Sequence, residues 1–385
     1  MIDSIKSIVP HYFGPPFERP FAAILNSRQS KTPCGSEPWI QNTIKAIDFS
    51  ASEGLTVLSS VGMHTWNILT WASGDRDANQ IVVLPLLKND DPENIIERVT
   101  GDFNLTPERT EFLFFETGIP SNRPKLAWAE RDRAIAALAD VIYPVSLRKR
   151  GNMEQLIQER ATKEGNIVED FTAPYSPRKR EKLRPLDPEA VAEKFPVESW
   201  DFVTHWTHCF DGPWPNESEA EYYSAVCSSG SEYCRTAMDS ILHILEKLQI
   251  YGTKGCVRGG LSAVSFTSLP PSEAVKLMRW HSRKTRYTFE PYGLAVKRNI
   301  VETMGVRPVI YGNSTDFESL PEKDRPYFHS KGAKGDWPAE CEWRYIGDFD
   351  ISMLPKDSYM TIVRSEKDAE KMRSIADVPV VALEA

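Results

Sequence analysis

The sequence predicts an α/β domain built on a mostly parallel sheet, followed by an α+β domain. Three observations lead there. Short apolar runs alternate with helical stretches between residues 21 and 147, a proline-rich basic stretch occupies 172–199, and strand-like and helical segments mix without alternation beyond 200. Near-continuous apolar strands separated by helices indicate a parallel sheet covered on both faces. A length of 385 residues suits two domains, here 1–171 and 200–385.

The strand-like runs of the first half are FAAILNS (21–27), LTVLSS (55–60), QIVVLPLL (80–87), TEFLFFE (110–116) and DVIYPVSL (140–147). Between them lie helical stretches such as EPWIQNTIKAIDFSASE, MHTWNILTWASG and RDRAIAALA. Ligands of such sheets sit beyond the carboxyl ends of the strands, at the switch point. The first strand ends in Asn26-Ser27-Arg28, and the second runs into Ser60, Gly62, His64 and Thr65. Small residues and Gly62 let backbone N–H groups approach a phosphate at a helix start. Arg131 and Arg133 flank Asp132 where a helix begins. Cations there oppose the macrodipole, so they call either for an anionic ligand or for pairing with Glu130 or Asp132.

The stretch 172–199 carries five prolines and the cations Arg178, Lys179, Arg180, Lys182 and Arg184. Its simplest reading is a solvated linker, and its sharper one a phosphate contact.

In the second half, WDFVTHWTHCF alternates as a strand, with Thr204 and Trp206 on one side and His205 and Thr207 on the other. A helix follows with an apolar stripe from Met238 to Leu248, stopped by Gly252. A strand through Val264, Ser265 and Phe266 leads into a diproline turn and further short strands. The late stretch GDWPAECEWR packs two tryptophans, two glutamates and an arginine into ten positions, 335–344. As a strand it puts Glu340, Glu342 and Arg344 on one face. Such a stripe serves either catalysis or the charged edge of a sheet.

Hydrophobic content of 41% and charged content of 26% are those of a globular chain. No apolar run is long enough to span a bilayer, and the N-terminus lacks a secretory pattern. Six scattered cysteines (34, 209, 227, 234, 256 and 341) without a C-x-x-C pair suggest reduced thiols and a cytoplasmic location. Histidines and cysteines show no metal-ligand spacing, so no metal is expected. No Gly-x-Ser-x-Gly elbow is present. The net charge of −8 argues against broad nucleic-acid binding but leaves room for a local basic patch.

From about 20 to 170 the order of motifs resembles the DNA-processing protein A and lonely-guy superfamily of Rossmann-like domains. It runs from a strand ending in Ser27-Arg28 through SSVGMHT, VVLP and FFE to RDRAIAALADVIYPVS and a helix led by Gly151. The resemblance implies a nucleotide or nucleic-acid phosphate near Ser27, Arg28, Ser60, Gly62, Arg131, Arg133 and Gly151. The phosphoribohydrolase members carry a Pro-Gly-Gly-x-Gly-Thr loop where this chain reads RKRGNMEQ. That departure favours binding over hydrolysis in this half.

Roughly 200–350 resembles bacterial abortive-infection (phage-resistance) families. The pieces are SFTSLPPSEA, YGLAVK, RPVIYGN and DWPAECEWR. Those families in turn look related to ADP-ribosyltransferases. This implies NAD as cofactor, with His205 or Thr207 on a first strand, Ser265 or Thr267 on a second, and Glu340 or Glu342 on a third. It further implies Tyr287 or Tyr292 against nicotinamide, and Arg258 and Arg344 against pyrophosphate or the glutamates. The expected protein is a bacterial antiviral or stress protein that binds a nucleotide and acts on NAD or a nucleotide through Glu342. The competing expectation is a non-catalytic sensor of a nucleotide or single-stranded nucleic acid with a C-terminal interaction module. A third keeps the first domain only as a homodimer scaffold.

Overall fold

The apolar runs of the first half form strands whose residues are almost wholly buried, as a sheet covered on both faces requires. The computed structural model describes residues 11–161, 166–254, 257, 258, 260–331 and 337–384; Cys256 lies outside them. Strands β1 (His11–Phe13), β2 (Phe21–Asn26), β3 (Thr56–Ser59), β4 (Gln80–Lys88), β5 (Thr110–Pro120), β6 (Val141–Ser146) and β7 (Asn166–Ile167) make one seven-stranded sheet. Its order is β1-β5-β4-β3-β2-β6-β7, and every pair is parallel except β1 with β5.

Helices α1 (Pro38–Ser52), α2 (His64–Asp75), α3 (Pro92–Phe103), α4 (Trp128–Leu138) and α5 (Asn152–Ala161) connect the strands. Proline at the first position of α1 lacks only an N–H that would be unbonded there anyway. That helix buries Trp39, Ile40, Ala46 and Ile47, each large apolar side chain contributing about 1.5–3 kcal/mol. The chain moves outward from β2 to β5, then crosses to β6 on the other side of β2. The carboxyl ends of β2 and β6 therefore form the switch point.

The chain divides into two compact units, one of Met1–Lys179 with Asp211–Cys234 and one of Arg180–Phe210 with Arg235–Ala385. Helix α6 (Glu219–Ser228), which falls in the stretch 200–385 assigned from sequence to the second domain, belongs to the first unit. It starts at a reciprocal cap between Ser218 and Glu221, and its Tyr222, Tyr223 and Val226 join the first core. Tyr223 stacks on Phe103 with ring centroids 6.2 Å apart.

The basic stretch is not a solvated connector along its whole length. Arg178 reaches Cys34 Sγ at 2.5 Å and the Ser231 carbonyl at 3.0 Å, within the first unit. Arg180 pairs with buried Glu290 at 2.6 Å and touches Cys209, within the second. Two residues apart, these cations serve different cores.

The second unit holds β8 (Phe202–Trp206), β9 (Ala263–Thr267), the hairpin β10 (Trp280–His281) and β11 (Arg286–Tyr287), β12 (Gly293–Lys297), β13 (Arg307–Pro308), β14 (Glu342–Ile346), β15 (Tyr359–Ser365) and β16 (Val380–Glu384). Its main sheet has the order β13-β14-β9-β8-β12-β15-β16 and is antiparallel except for β15 with β16. Helix α7 (Ala237–Lys247) buries Met238, Ile241, Ile244 and Leu245.

Leu248, expected on that stripe, is 45% exposed and takes the left-handed conformation that ends the helix. Gly252 is therefore not the stop. It is glycine because a Cβ there would lie 2.5 Å from the Gly347 carbonyl oxygen.

Candidate functional site

Register decides which residues of the second unit meet. Thr204 on β8 lies opposite Thr267 on β9, which lies opposite Glu342 on β14. One step along, Ser265 faces Arg344. Side chains opposite each other share a face, so Thr204, Trp206, Ser265, Thr267, Glu342 and Arg344 present one surface. Val203, Val264, Phe266 and Leu294 alternate to the other side and form the core. Trp343 and Tyr345 pack against that core.

The polar surface is the floor of a cleft of about 410 Å³. Ser265 Oγ donates to Glu342 Oε1 at 2.7 Å. Arg344 donates from Nε to the same oxygen at 2.8 Å, from Nη2 to Oε2 at 3.1 Å, and from Nη1 to the Phe328 carbonyl at 3.2 Å. Arg344 is fully buried and Glu342 nearly so, with side chains 1% and 14% exposed. The fork fixes the plane of the Glu342 carboxyl group with two parallel N–H donors. Thr204 Oγ1 and Trp206 Nε1 are buried on the same floor without a hydrogen-bond partner. Tyr287, Phe289, Lys284 and Arg286 wall the cleft.

Glu340 is not on the strand with Glu342. It ends a 3-10 turn (Trp337–Glu340), and Cys341 at φ 44° breaks the alternation before β14 begins. The same-face stripe of three expected from period two is thus a pair, Glu342 and Arg344. Glu340 nevertheless lines the cleft by another route: Thr267 Oγ1 donates to its carbonyl at 2.6 Å. Burial and the charge of Glu342 hold its carboxyl above the usual range.

Three expected residues lie elsewhere. His205 sits on the core face, as strand alternation requires of a neighbour of Thr204 and Trp206. Its Nδ1 donates to the Ser265 carbonyl at 2.8 Å, its ring meets Phe266 edge-on at 5.8 Å, and burial pushes its pKa down to about 4. Tyr292 donates its hydroxyl to Asp368 at 3.2 Å, away from the cleft lining. Arg258 donates to Ser330 Oγ at 2.7 Å and lies over the rings of Phe317 and Phe328. Of the alternatives, Tyr287 walls the cleft and Thr267 shares its floor, while Thr207 bonds backbone carbonyls instead.

In the first unit, a cavity of about 320 Å³ opens at the start of α2. The capping position, Met63, offers no side-chain acceptor to the helix N–H groups. Arg28, Lys31, Gly62, Thr65, Lys125 and Trp128 line it, together with the acids Asp211 and Glu219. Gly62, at φ 108°, donates its N–H to Asn67 Oδ1 at 2.7 Å. Arg28 and Lys125 each lie over Trp128, at 5.8 and 5.7 Å. Thr65 Oγ1 and Gln29 Oε1 are buried there without a partner.

The other residues expected at this site are structural. Ser27 Oγ accepts from the Arg148 N–H at 2.9 Å, stitching the ends of β2 and β6. Ser60, wholly buried, donates to the Val83 carbonyl at 2.8 Å. Arg131 is 1% exposed, pairs with Asp132 at 2.9 Å and bonds the Val61 carbonyl, so the ionic partner on its own helix, not a ligand, satisfies it. Arg133 points to solvent, and the Gly151 N–H donates to the Arg148 carbonyl in a turn outside the cavity lining.

Sequence reasoning did not single out Trp128, Lys125, Thr204, Trp206 or the hairpin. Of these, only the hairpin carries a sequence signal, the charge run RWHSRKTR at 279–286.

Among the described residues no helix is long and apolar enough to cross a membrane, and no cluster of three histidine, cysteine or acidic side chains has metal-binding geometry. No protein-family model matches the chain, and no curated protein matches it. Two solved structures are similar over 38% of it. One is DNA processing protein A from Helicobacter pylori, whose structure was described for its single-stranded DNA binding mode (16% identity, 64% of that chain, TM-score 0.29). The other is the same-named protein from Streptococcus pneumoniae (19% identity, 49% of that chain, TM-score 0.29). Each match spans less than two thirds of the other chain. At this degree of similarity neither structure says what this chain binds.

Proposed function

We propose that the second unit breaks the N-glycosidic bond of NAD or a related nucleotide, with Glu342 as the carboxylate at the ribosyl carbon. The observation that carries this is the Ser265–Glu342–Arg344 network on the floor of the cleft. In that reaction the C1′–N bond breaks, its electron pair leaves with the pyridine nitrogen, and positive charge develops on the ribosyl ring. A fixed carboxylate stabilises that charge without reorganising. The attacking hydroxyl or amine forms the new bond to C1′ and gives up a proton, for which the two carboxylates of the cleft are at hand. The unpartnered Thr204 hydroxyl and Trp206 indole N–H suit a polar ligand, and the Lys284 and Arg286 wall suits its phosphates.

The test is release of nicotinamide from NAD by the full chain, with free base from common nucleotides followed in parallel. Glu342→Gln leaves Arg344 short of a charge partner, so Ser265→Ala is the companion variant: it keeps the ion pair and removes only one hydrogen bond. Turnover abolished in the first and lowered about tenfold in the second is the expected result. Turnover indifferent to both removes Glu342 from the chemistry.

A second reading is favoured by the burial of Arg344 itself. Glu342 is then its counter-charge and nothing more, and the protein is a sensor whose ligand sits in the first unit. The uncapped start of α2 with Arg28, Lys125 and the partnerless Thr65 hydroxyl supports a phosphate-bearing ligand there. No turnover, with a nucleotide-induced rise in melting temperature lost in Arg28→Ala, selects this reading.

A further inference from the structure

The chain carries a net charge of −8, yet residues 276–289 contain no acidic side chain. Within them Arg279, His281, Arg283, Lys284 and Arg286 fall in eight positions. They do not lie on a helix or in a linker but on the β10–β11 hairpin, where Trp280 pairs with Tyr287 and His281 with Arg286. Its turn is closed by the Lys284 N–H donating to the His281 carbonyl at 3.0 Å and by Thr285 at φ 52°. Arg279, His281, Arg283 and Lys284 are exposed. Arg286 is half-buried and meets His208 Nδ1 at 3.2 Å.

This hairpin is a wall of the Glu342 cleft, with His281, Lys284 and Arg286 on the lining. The arrangement is polarised: cations on the hairpin wall, Glu342 on the floor with Glu340 beside it. Aromatic side chains share the lining and the hairpin. Trp206 stacks with Phe289 at 5.8 Å, and Trp280 meets Tyr287 edge-on at 5.1 Å. A single free nucleotide needs one or two cations for its phosphates. Five basic side chains on one hairpin, three of them on the cleft lining, offer more than such a ligand uses.

We infer that the hairpin is a docking rail for single-stranded nucleic acid, which delivers a base to the cleft as acceptor or substrate of the chemistry proposed for Glu342. Basic side chains interleaved with aromatic rings are how proteins hold single strands without reading sequence. A base inside a duplex cannot enter a cleft of this kind until it leaves the stack, which selects single strands. As acceptor, a nitrogen of the base forms the new bond to C1′ and loses one proton, while the electron pair of the broken bond leaves with nicotinamide. The chemical half of this inference rests on the proposed function; the docking half does not.

The experiment is fluorescence polarisation of a labelled single-stranded oligonucleotide with the full chain, titrated with salt. The variant is Arg283→Gln with Lys284→Gln, both at an exposed turn, and a duplex of the same sequence and anionic phospholipid vesicles serve as competitors. Wild type is expected to prefer the single strand. The variant should bind at least tenfold more weakly, and its log–log salt slope should fall by about 1.4, since each lost phosphate contact on a single strand removes roughly 0.7.

Affinity and slope unchanged in the variant overturn the rail, because the strand is then held elsewhere. Stronger competition by vesicles than by oligonucleotide overturns it in favour of a lipid surface, and preference for the duplex overturns the single-strand assignment. Oligonucleotide binding retained in Glu342→Gln while nicotinamide release is lost separates the two readings. Absence of turnover in wild type, with hairpin-dependent binding intact, defeats the proposed chemistry and leaves the docking site standing.

Discussion

Ser265 Oγ and Glu342 Oε1 lie 2.7 Å apart although 77 residues separate them in the chain. The bond crosses from β9 to β14, and the same carboxylate receives the Arg344 fork on its own strand. Glu342 thus stands between a hydroxyl donor on the neighbouring strand and a buried cation on its own.

That asymmetry predicts unequal losses of stability for the two obvious variants. Removing the charge of Glu342 leaves a guanidinium that is 1% exposed without compensation, at a cost of about 3–5 kcal/mol. Loss of the Ser265 hydroxyl should cost only about 1 kcal/mol. Urea unfolding of Glu342→Gln and Ser265→Ala reads the difference directly; equal midpoints would mean that the ion pair is not what holds Arg344 in place.

His205 supplies a pH dependence. Its pKa falls from 6.5 to about 4 in the folded chain because burial disfavours the imidazolium. Below 6.5 the unfolded chain takes up a proton that the folded one refuses, so the stabilisation is whole above 6.5 and is lost as pH falls toward 4. Melting temperature should drop across that window in wild type. In His205→Gln, where no proton is taken up by either state, the slope should flatten.

Glu340 acts with the opposite sign. Its folded pKa is raised, by burial first and Glu342 second, so the folded chain holds the proton more tightly than the unfolded one. Stability from this group is present at acid pH and declines as pH rises from the ordinary carboxylate value through the raised one. Glu340→Gln should remove that decline, seen as a smaller loss of melting temperature from acid to neutral pH.

Gly252 gives a packing prediction free of titration. A methyl group there would sit 2.5 Å from the backbone oxygen of Gly347, and backbone does not yield as a side-chain tip does. Gly252→Ala should destabilise by about 1–3 kcal/mol, whereas alanine at Gly101, with nothing within 4 Å of its Cβ, should be neutral or stabilising in the same unfolding assay.

Local chemistry was legible where the chain itself is the cause. The five apolar runs became buried parallel strands because an unbroken apolar run has nowhere to go but a sheet covered on both faces. The alternation through β8 puts Thr204 and Trp206 on one side and His205 on the other whatever strand lies beside it. Glu342 and Arg344 share a face for the same reason. What alternation does not contain is register. Which face of β8 meets Ser265 and Glu342 depends on pairings with strands about 60 and 140 residues away in the chain, and those pairings turned His205 to the core side and Thr204 to the cleft.

Charge was read correctly in kind and wrongly in use for the same want of a third dimension. Arg131 asks for an anion in either setting, and only packing showed that Asp132, its own neighbour, answers. Tyr222 and Tyr223 follow the sequence of the second unit but bury their rings in the core of the first, since burial rewards the nearest apolar surface in space, not in sequence. The sequence by itself determined the strands, their faces and the charges they carry. The tertiary structure decided which faces meet, because hydrogen-bonded register and close packing are properties of pairs of segments and not of either one.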